Sequence, residues 1–173
     1  ERELSIHYLR AIAALMVVAM HAFSYGLVPV DDLAQISWLK RGVALFFVIS
    51  GFVMVTSTSG RAVTPGAFML RRIIRIVPLY WVMTLAWAAI ATDWDLLKLA
   101  GSLAFVPTPD PVSGALRSPV LEPGWTLNFE MFFYMVFALS LWLRPALRLP
   151  VVATVLTALV LLGSAAGAGP WLN

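Results

Sequence analysis

Long apolar runs, broken by short polar or basic segments, dominate this chain. The first run covers Ile6–Leu27 and the second Val43–Thr58. Runs of this kind approach the ~20 apolar residues with which a helix crosses a bilayer. Stretches such as AIAALMVVAM do not alternate apolar and polar positions, so they predict helices and not barrel strands. A polar and basic stretch follows, STSGRAVTPGAFMLRR. Thr64 before Pro65 reads as an N-cap with proline at the first helical position. A short amphipathic helix is therefore predicted to start there. It leads through the arginines into a third run, Ile73–Ala91, with Pro78 expected to kink that run or mark its true start. Trp94–Val106 is apolar but short, which suits an interfacial or re-entrant segment. The loop PTPDPVSGALRSPVLEPG, with five of the eleven prolines, is expected to be extended and irregular. A fourth run, Trp125–Leu143, ends at Arg144 and Pro145, and a fifth covers Val151–Ala168. There is no internal repeat and no low-complexity tract. The predicted fold is all-α: a polytopic integral membrane bundle of about five to six segments, forming one domain over residues 1–173.

Composition agrees with that class. Of 173 residues, 61% are hydrophobic and 12% charged, too little charge for a soluble domain of this size. The absence of cysteine excludes thiolate chemistry and Cys-ligated metals, and two histidines are too few for a His-rich centre, so no metal is expected. No cleavable signal peptide is evident, because the first run lacks a small-x-small exit and leads into more apolar runs. The sequence opens on Glu1 and closes on GPWLN, so it reads as trimmed at its start, with a cut at its end left open. The net charge of +3 matters less than its placement. Arg2 precedes the first run, Arg61, Arg71, Arg72 and Arg75 lie between the second and third, and Arg144 and Arg148 lie between the fourth and fifth. All three groups fall on one side if Trp94–Val106 does not cross, and the positive-inside rule makes that side cytoplasmic. Lys40 and Arg41 then lie outside, balanced by Asp31 and Asp32.

Polar groups inside apolar runs are the candidate chemistry. Arg10 and His21 are eleven residues apart, about 20° past three full turns, so they share a helix face ~16 Å apart along the axis. Taken singly, Arg10 could snorkel to the headgroups and His21 could hydrogen-bond a neighbouring helix. Together they could line one cavity, where a neutral imidazole can act as a general base. Arg71, Arg72 and Arg75 satisfy the positive-inside rule and could equally form an anion site, since guanidinium forks suit phosphate. Glu130, flanked by Phe129, Met131, Phe132 and Phe133, must pair with a cation or be protonated. A structural salt bridge is its plain alternative. Ser50 and Gly51 read first as packing residues and second as site residues.

Four segments in series, at matching separations, resemble the membrane acyltransferase family 3. They are LRAIAALMVVAMH, GVALFFVISGFVM, RRIIRIVPLY and WTLNFEMFFY, and they cover Leu4 to about Leu143. The resemblance implies transfer of an acyl group, usually acetyl, from cytoplasmic acyl-CoA to a hydroxyl of a periplasmic or cell-surface glycan. It implies a catalytic role for His21, with Glu130 near the site from the outer side. Arg72 and Arg75 would engage the donor. Arg71 and Arg10 are further donor candidates on the residue reading, and Trp125, Asn128, Tyr134 and Ser50 are candidates for the cavity or acceptor side. The family's bundle has about ten spans, so this chain is expected to be its N-terminal half or a shortened relative.

Acetyl-CoA or another acyl-CoA is expected as donor substrate, with no tightly bound cofactor. The partners expected are the lipid bilayer, acyl-CoA and the glycan acceptor, with no nucleic acid. A homo-oligomer or a second half-domain stays open. The expected location is the bacterial inner membrane, multi-pass. Two other readings remain: a proton-coupled or lipid-linked-sugar transporter, which the missing repeat disfavours, and a non-catalytic membrane partner subunit.

Overall fold

A computed structural model describes residues 2–24, 26 and 33–165, with the side chains of 2–4 and 33–36 excepted. Asp31, Asp32, Leu27 and the end of the fifth run lie outside the described residues. The chain divides after Arg61 into two compact units.

In the first unit, α1 (Arg2–Ser24) is followed by a 3-10 segment, Leu33–Lys40, and α2 (Arg41–Thr58). Small residues let α1 and α2 approach closely. Ala13 is fully buried, and a Cβ on Gly42 would lie 2.8 Å from the Met16 Cβ and 3.0 Å from the Ala13 carbonyl oxygen. Close backbone approach of this kind gives dispersion contact where no hydrophobic effect drives helices together. α2 ends where the sequence predicts, with the Thr58 hydroxyl donating back to the Met54 carbonyl at 2.8 Å.

The second unit contains α3 (Pro65–Ala88), α4 (Leu96–Leu103), a 3-10 turn at Glu122–Gly124, α5 (Trp125–Ser140) and α6 (Pro145–Ala165). Thr64 caps α3 as expected, accepting from the Ala67 amide at 3.3 Å. The predicted amphipathic helix and third run are one continuous helix, however, and Pro78 lies inside it. A proline there removes one backbone hydrogen bond, and the long helical stretches on either side carry the helix across the gap.

α4 has eight residues, about 12 Å of helix, so it cannot cross ~30 Å of hydrocarbon. The proline-rich loop departs from its expected extended form. Pro109 bridges Leu116 in antiparallel fashion, and the Asp110 carboxylate accepts from the Val112 and Ser113 amides at 3.0 and 2.8 Å. An aspartate side chain thus supplies turn hydrogen bonds in a segment where prolines lack donors. Ser102 pins the loop to α4: its hydroxyl accepts from the Val120 amide at 2.9 Å and donates to the Lys98 carbonyl at 2.6 Å. α6 begins at Pro145, ahead of the expected Val151, and carries Pro150 inside it. The Arg148 guanidinium donates to the Leu143 and Leu141 carbonyls at the α5–α6 corner, at 3.2 and 3.3 Å.

α3 and α5 run antiparallel. Phe68 meets Tyr134 edge-on at 6.2 Å and Phe137 at 5.3 Å. Further along α3, Tyr80 lies so close to Gly124 that a Cβ there would be 2.7 Å from the ring. Among the described residues, three helical stretches are long and apolar enough to cross a membrane: Ser5–Ser24, Ser37–Thr58 and Pro145–Ala165. α3 carries three arginines in its first half, and α5 has sixteen residues.

Candidate functional site

In the second unit, the antiparallel pairing of α3 and α5 places Arg72 against two aromatic rings. Its guanidinium carbon lies 5.1 Å from the Phe68 centroid and 5.0 Å from that of Tyr134. These distances fit attraction of a cation to the electron-rich ring face. The Tyr134 hydroxyl donates to the Glu130 carboxylate. Each helix therefore contributes an i,i+4 pair, Phe68 with Arg72 and Glu130 with Tyr134, the spacing that stacks side chains on one face. Tyr134 is buried at 3% exposure, and Arg72 and Glu130 are half-buried. Arg71 and Arg75 are exposed. The three arginines thus do not form one cluster: Arg72 turns onto α5, and the other two face outward.

Farther along α5 toward its start, Trp125 is 40% exposed and edge-on to Phe129 at 6.0 Å. Asn128 is half-buried, and its buried side-chain oxygen has no hydrogen-bond partner among the described residues. The Tyr80 and Thr84 side chains of α3 are also buried, one turn apart. Sequence reasoning did not single out Phe68, Tyr80 or Thr84. Their signal is the four-residue spacing of 68 with 72 and of 80 with 84.

In the first unit, His21 sits half-buried in the last turn of α1, and its Nδ1 lies 2.8 Å from the Val17 carbonyl oxygen. A carbonyl only accepts, so Nδ1 carries the proton. In the neutral ring, Nε2 is then the basic nitrogen. Arg10 is half-buried on the same unbroken helix, so the shared face holds. Ser50 is half-buried in α2 beside the buried Ile49. Arg10, His21 and Ser50 belong to the first unit, and Arg71, Arg72, Arg75, Trp125, Asn128, Glu130 and Tyr134 to the second.

The far end of α3 carries a second polar region. A cleft of about 510 Å³ is lined by Asp93, Asp95, Lys98, Asp110 and Arg117. Four of these charges are paired, Lys98 with Asp93 at 3.3 Å and Arg117 with Asp95 at 2.5 Å. The Arg117 hydrogen bond, aided by the Lys98 amide, holds the Asp95 carboxyl down at about 2. The Ser113 amide and hydroxyl lower that of Asp110. Asp95 is also the N-cap of α4, accepting from the Lys98 amide at 2.7 Å. An aspartate just ahead of the apolar Leu96–Leu97 pair was the sequence signal for it.

A family model described as an acyltransferase domain matches residues 3–173. The exopolysaccharide production protein ExoZ of Rhizobium meliloti (strain 1021) is 48% identical over 129 residues, covering 70% of this chain and 40% of its own length. Protein 2 in the picA locus of Rhizobium radiobacter is 30% identical over 195 residues, covering 96% of both chains. No solved structure matches. The chain spans about 40% of the Rhizobium meliloti relative.

Proposed function

Because the chain belongs to the acyltransferase 3 domain family, matched over residues 3–173, we propose that it acts as a membrane-bound O-acyltransferase. It moves an acyl group, acetyl in the simplest case, from cytoplasmic acyl-CoA to a hydroxyl of a cell-surface or periplasmic glycan. The name of the Rhizobium meliloti relative, an exopolysaccharide production protein, favours an exopolysaccharide as that glycan. In this reading α3 and α5 cross the membrane with α1, α2 and α6, so the chain is multi-pass in the bacterial inner membrane. In this reading residues 1–173 belong to one acyltransferase domain. The acyl-CoA is a substrate, and no cofactor is tightly bound.

The observation that carries the proposal is the imidazole of His21. The His21 Nδ1–H donates to the Val17 carbonyl, so in the neutral ring Nε2 carries the lone pair of a base or nucleophile. By the first route, Nε2 takes the proton of the acceptor hydroxyl while that oxygen attacks the thioester carbonyl. The CoA thiolate leaves and recovers the proton from the imidazolium. By the second, Nε2 attacks the thioester and expels CoA thiolate, leaving an Nε2-acylimidazolium that keeps its Nδ1 proton; the acceptor hydroxyl then attacks the acyl carbon, the C–N bond breaks to return neutral imidazole, and the hydroxyl proton passes to solvent, balancing the thiolate's charge. The second route carries an acyl group across without moving CoA. Within the second unit we assign Arg72, on the face turned to α5, and Arg71 and Arg75, on the outward face, to the donor's phosphates, Glu130 to electrostatic stabilisation of the transfer, and Trp125, Asn128 and Tyr134 to the cavity or acceptor side. Within the first unit we assign Arg10 to the donor and Ser50 to the acceptor side.

The test is His21→Ala in the full chain. Glycan acylation should disappear while the amount of protein in the membrane stays the same. Retained acylation would refute the assignment.

A further inference from the structure

We propose that Tyr134 is the positioning residue that ties the donor arginine to the half-buried Glu130 carboxylate. Arg72 and Glu130 come from different helices, and Tyr134 touches both. Its ring face lies 5.0 Å from the Arg72 guanidinium carbon, and its hydroxyl donates to Glu130. Tyrosine joins an aromatic face and an O–H donor in one rigid side chain, so a shift of one partner is transmitted to the other. Burial at 3% exposure keeps water from replacing either contact. Phe68 braces the arrangement, edge-on to Tyr134 at 6.2 Å and 5.1 Å from the same cation. The inference rests on the acyl-transfer reading for its kinetic consequences, and on geometry alone for the rest. When donor phosphates engage Arg72, the same ring fixes where the Glu130 carboxylate stands.

Three variants of the full chain separate the two contacts. Tyr134→Phe keeps the ring and removes the hydroxyl. Its kcat should fall about ten-fold, the cost of a lost hydrogen bond to a charged group, with the KM for acetyl-CoA within about two-fold of wild type. Phe68→Leu keeps the hydroxyl and weakens the stack, so KM for acetyl-CoA should rise about five-fold with kcat nearly unchanged. Tyr134→Leu should show both losses. A merely structural role would lower the folded fraction, and with it apparent kcat at unchanged KM, in all three variants, Phe68→Leu included; that result overturns the proposal, as does a Tyr134→Phe enzyme with wild-type kinetics.

Phenylglyoxal labelling of Arg72, followed by peptide mass spectrometry, needs no catalysis. Tyr134→Leu should be labelled about three-fold faster than wild type, and Tyr134→Phe at the wild-type rate. Equal rates in all three proteins overturn the positioning role. If wild type transfers nothing but the labelling pattern appears, the acyl-transfer reading falls and the positioning role of Tyr134 stands.

Discussion

His21, Tyr134 and Thr58 each settle a polar group within their own helix, at a four-residue interval. The His21 Nδ1 meets the Val17 carbonyl, the Tyr134 hydroxyl meets Glu130, and the Thr58 hydroxyl meets the Met54 carbonyl. An unsatisfied polar group in hydrocarbon costs several kcal/mol, so local partners are valuable there. Water-facing residues follow a different rule. Asp95 pairs with Arg117 where solvent competes, yet its carboxyl is held down at about 2. A carboxyl whose folded value lies below its unfolded value of about 3.9 stabilises fully above that value and stops stabilising as pH falls through the folded one. The melting temperature of the solubilised chain should therefore drop between about pH 4 and pH 2, and Asp95→Asn should flatten that part of the curve. Identical acid profiles in the two proteins would rule out the Asp95–Arg117 pair as the cause. Glu130 and the arginines were legible as costly groups in apolar sequence. The partition of Arg72 from Arg71 and Arg75 was not, because it depends on the rings that α5 presents.

At the scale of elements, the apolar runs marked the five long helices and α4 but not the 3-10 segment Leu33–Lys40. Pro78 was expected to kink the third run or mark its true start, and the fifth run was expected to begin only after Pro150, yet each proline lies inside a helix long enough to span the missing hydrogen bond. The proline-rich loop was read as irregular because the pattern carries no sign that Asp110 and Ser102 would tie it down. Glycine reports the same packing from the other side. A Cβ at Gly101 would lie 2.3 Å from the Thr108 methyl and 2.7 Å from the Val106 carbonyl oxygen. The methyl can rotate away, but the backbone oxygen cannot. Gly101→Ala should thus cost about 1–3 kcal/mol, the usual range for overpacking, and lower the melting temperature. Gly66 has nothing within 4 Å of its would-be Cβ. Gly66→Ala, early in α3, should leave the melting temperature unchanged or raise it, by up to about 1 kcal/mol of helix propensity. Equal losses in both variants would mean that the loop does not press on α4.

For the whole molecule, the orientation of α3 decides which chemistry faces which compartment. Its 24 residues make a helix about 36 Å long, enough to put its two ends on opposite membrane surfaces. The arginines lie toward its first end, while the carboxylate-lined cleft and the 107–121 loop follow its last turn. The basic residues alone assign the first end to the cytoplasm, through the positive-inside rule. A crossing α4 would move Arg144 and Arg148 outside and weaken that bias, but eight residues are too few for it to cross. Sequence could not fix this, because the apolar run Trp94–Val106 extends beyond the helix that forms. The turn at Phe105, whose φ is 59°, stops α4 early, and the Phe105 ring packs on Tyr80 at 4.8 Å. The chain has no cysteine, so introduced thiols report without background. Val112 is 96% exposed at the tip of the loop. A membrane-impermeant maleimide should label Val112→Cys in cells whose inner membrane is intact, once the outer membrane is opened. Gly66→Cys, at the first end of α3, should be labelled only after the inner membrane is also permeabilised. The reverse pattern would place the arginines outside, away from cytoplasmic acyl-CoA, and would remove the donor half of the mechanism. Labelling of both thiols before permeabilisation would show that α3 lies along one surface, and α5, its antiparallel partner, would then not cross either.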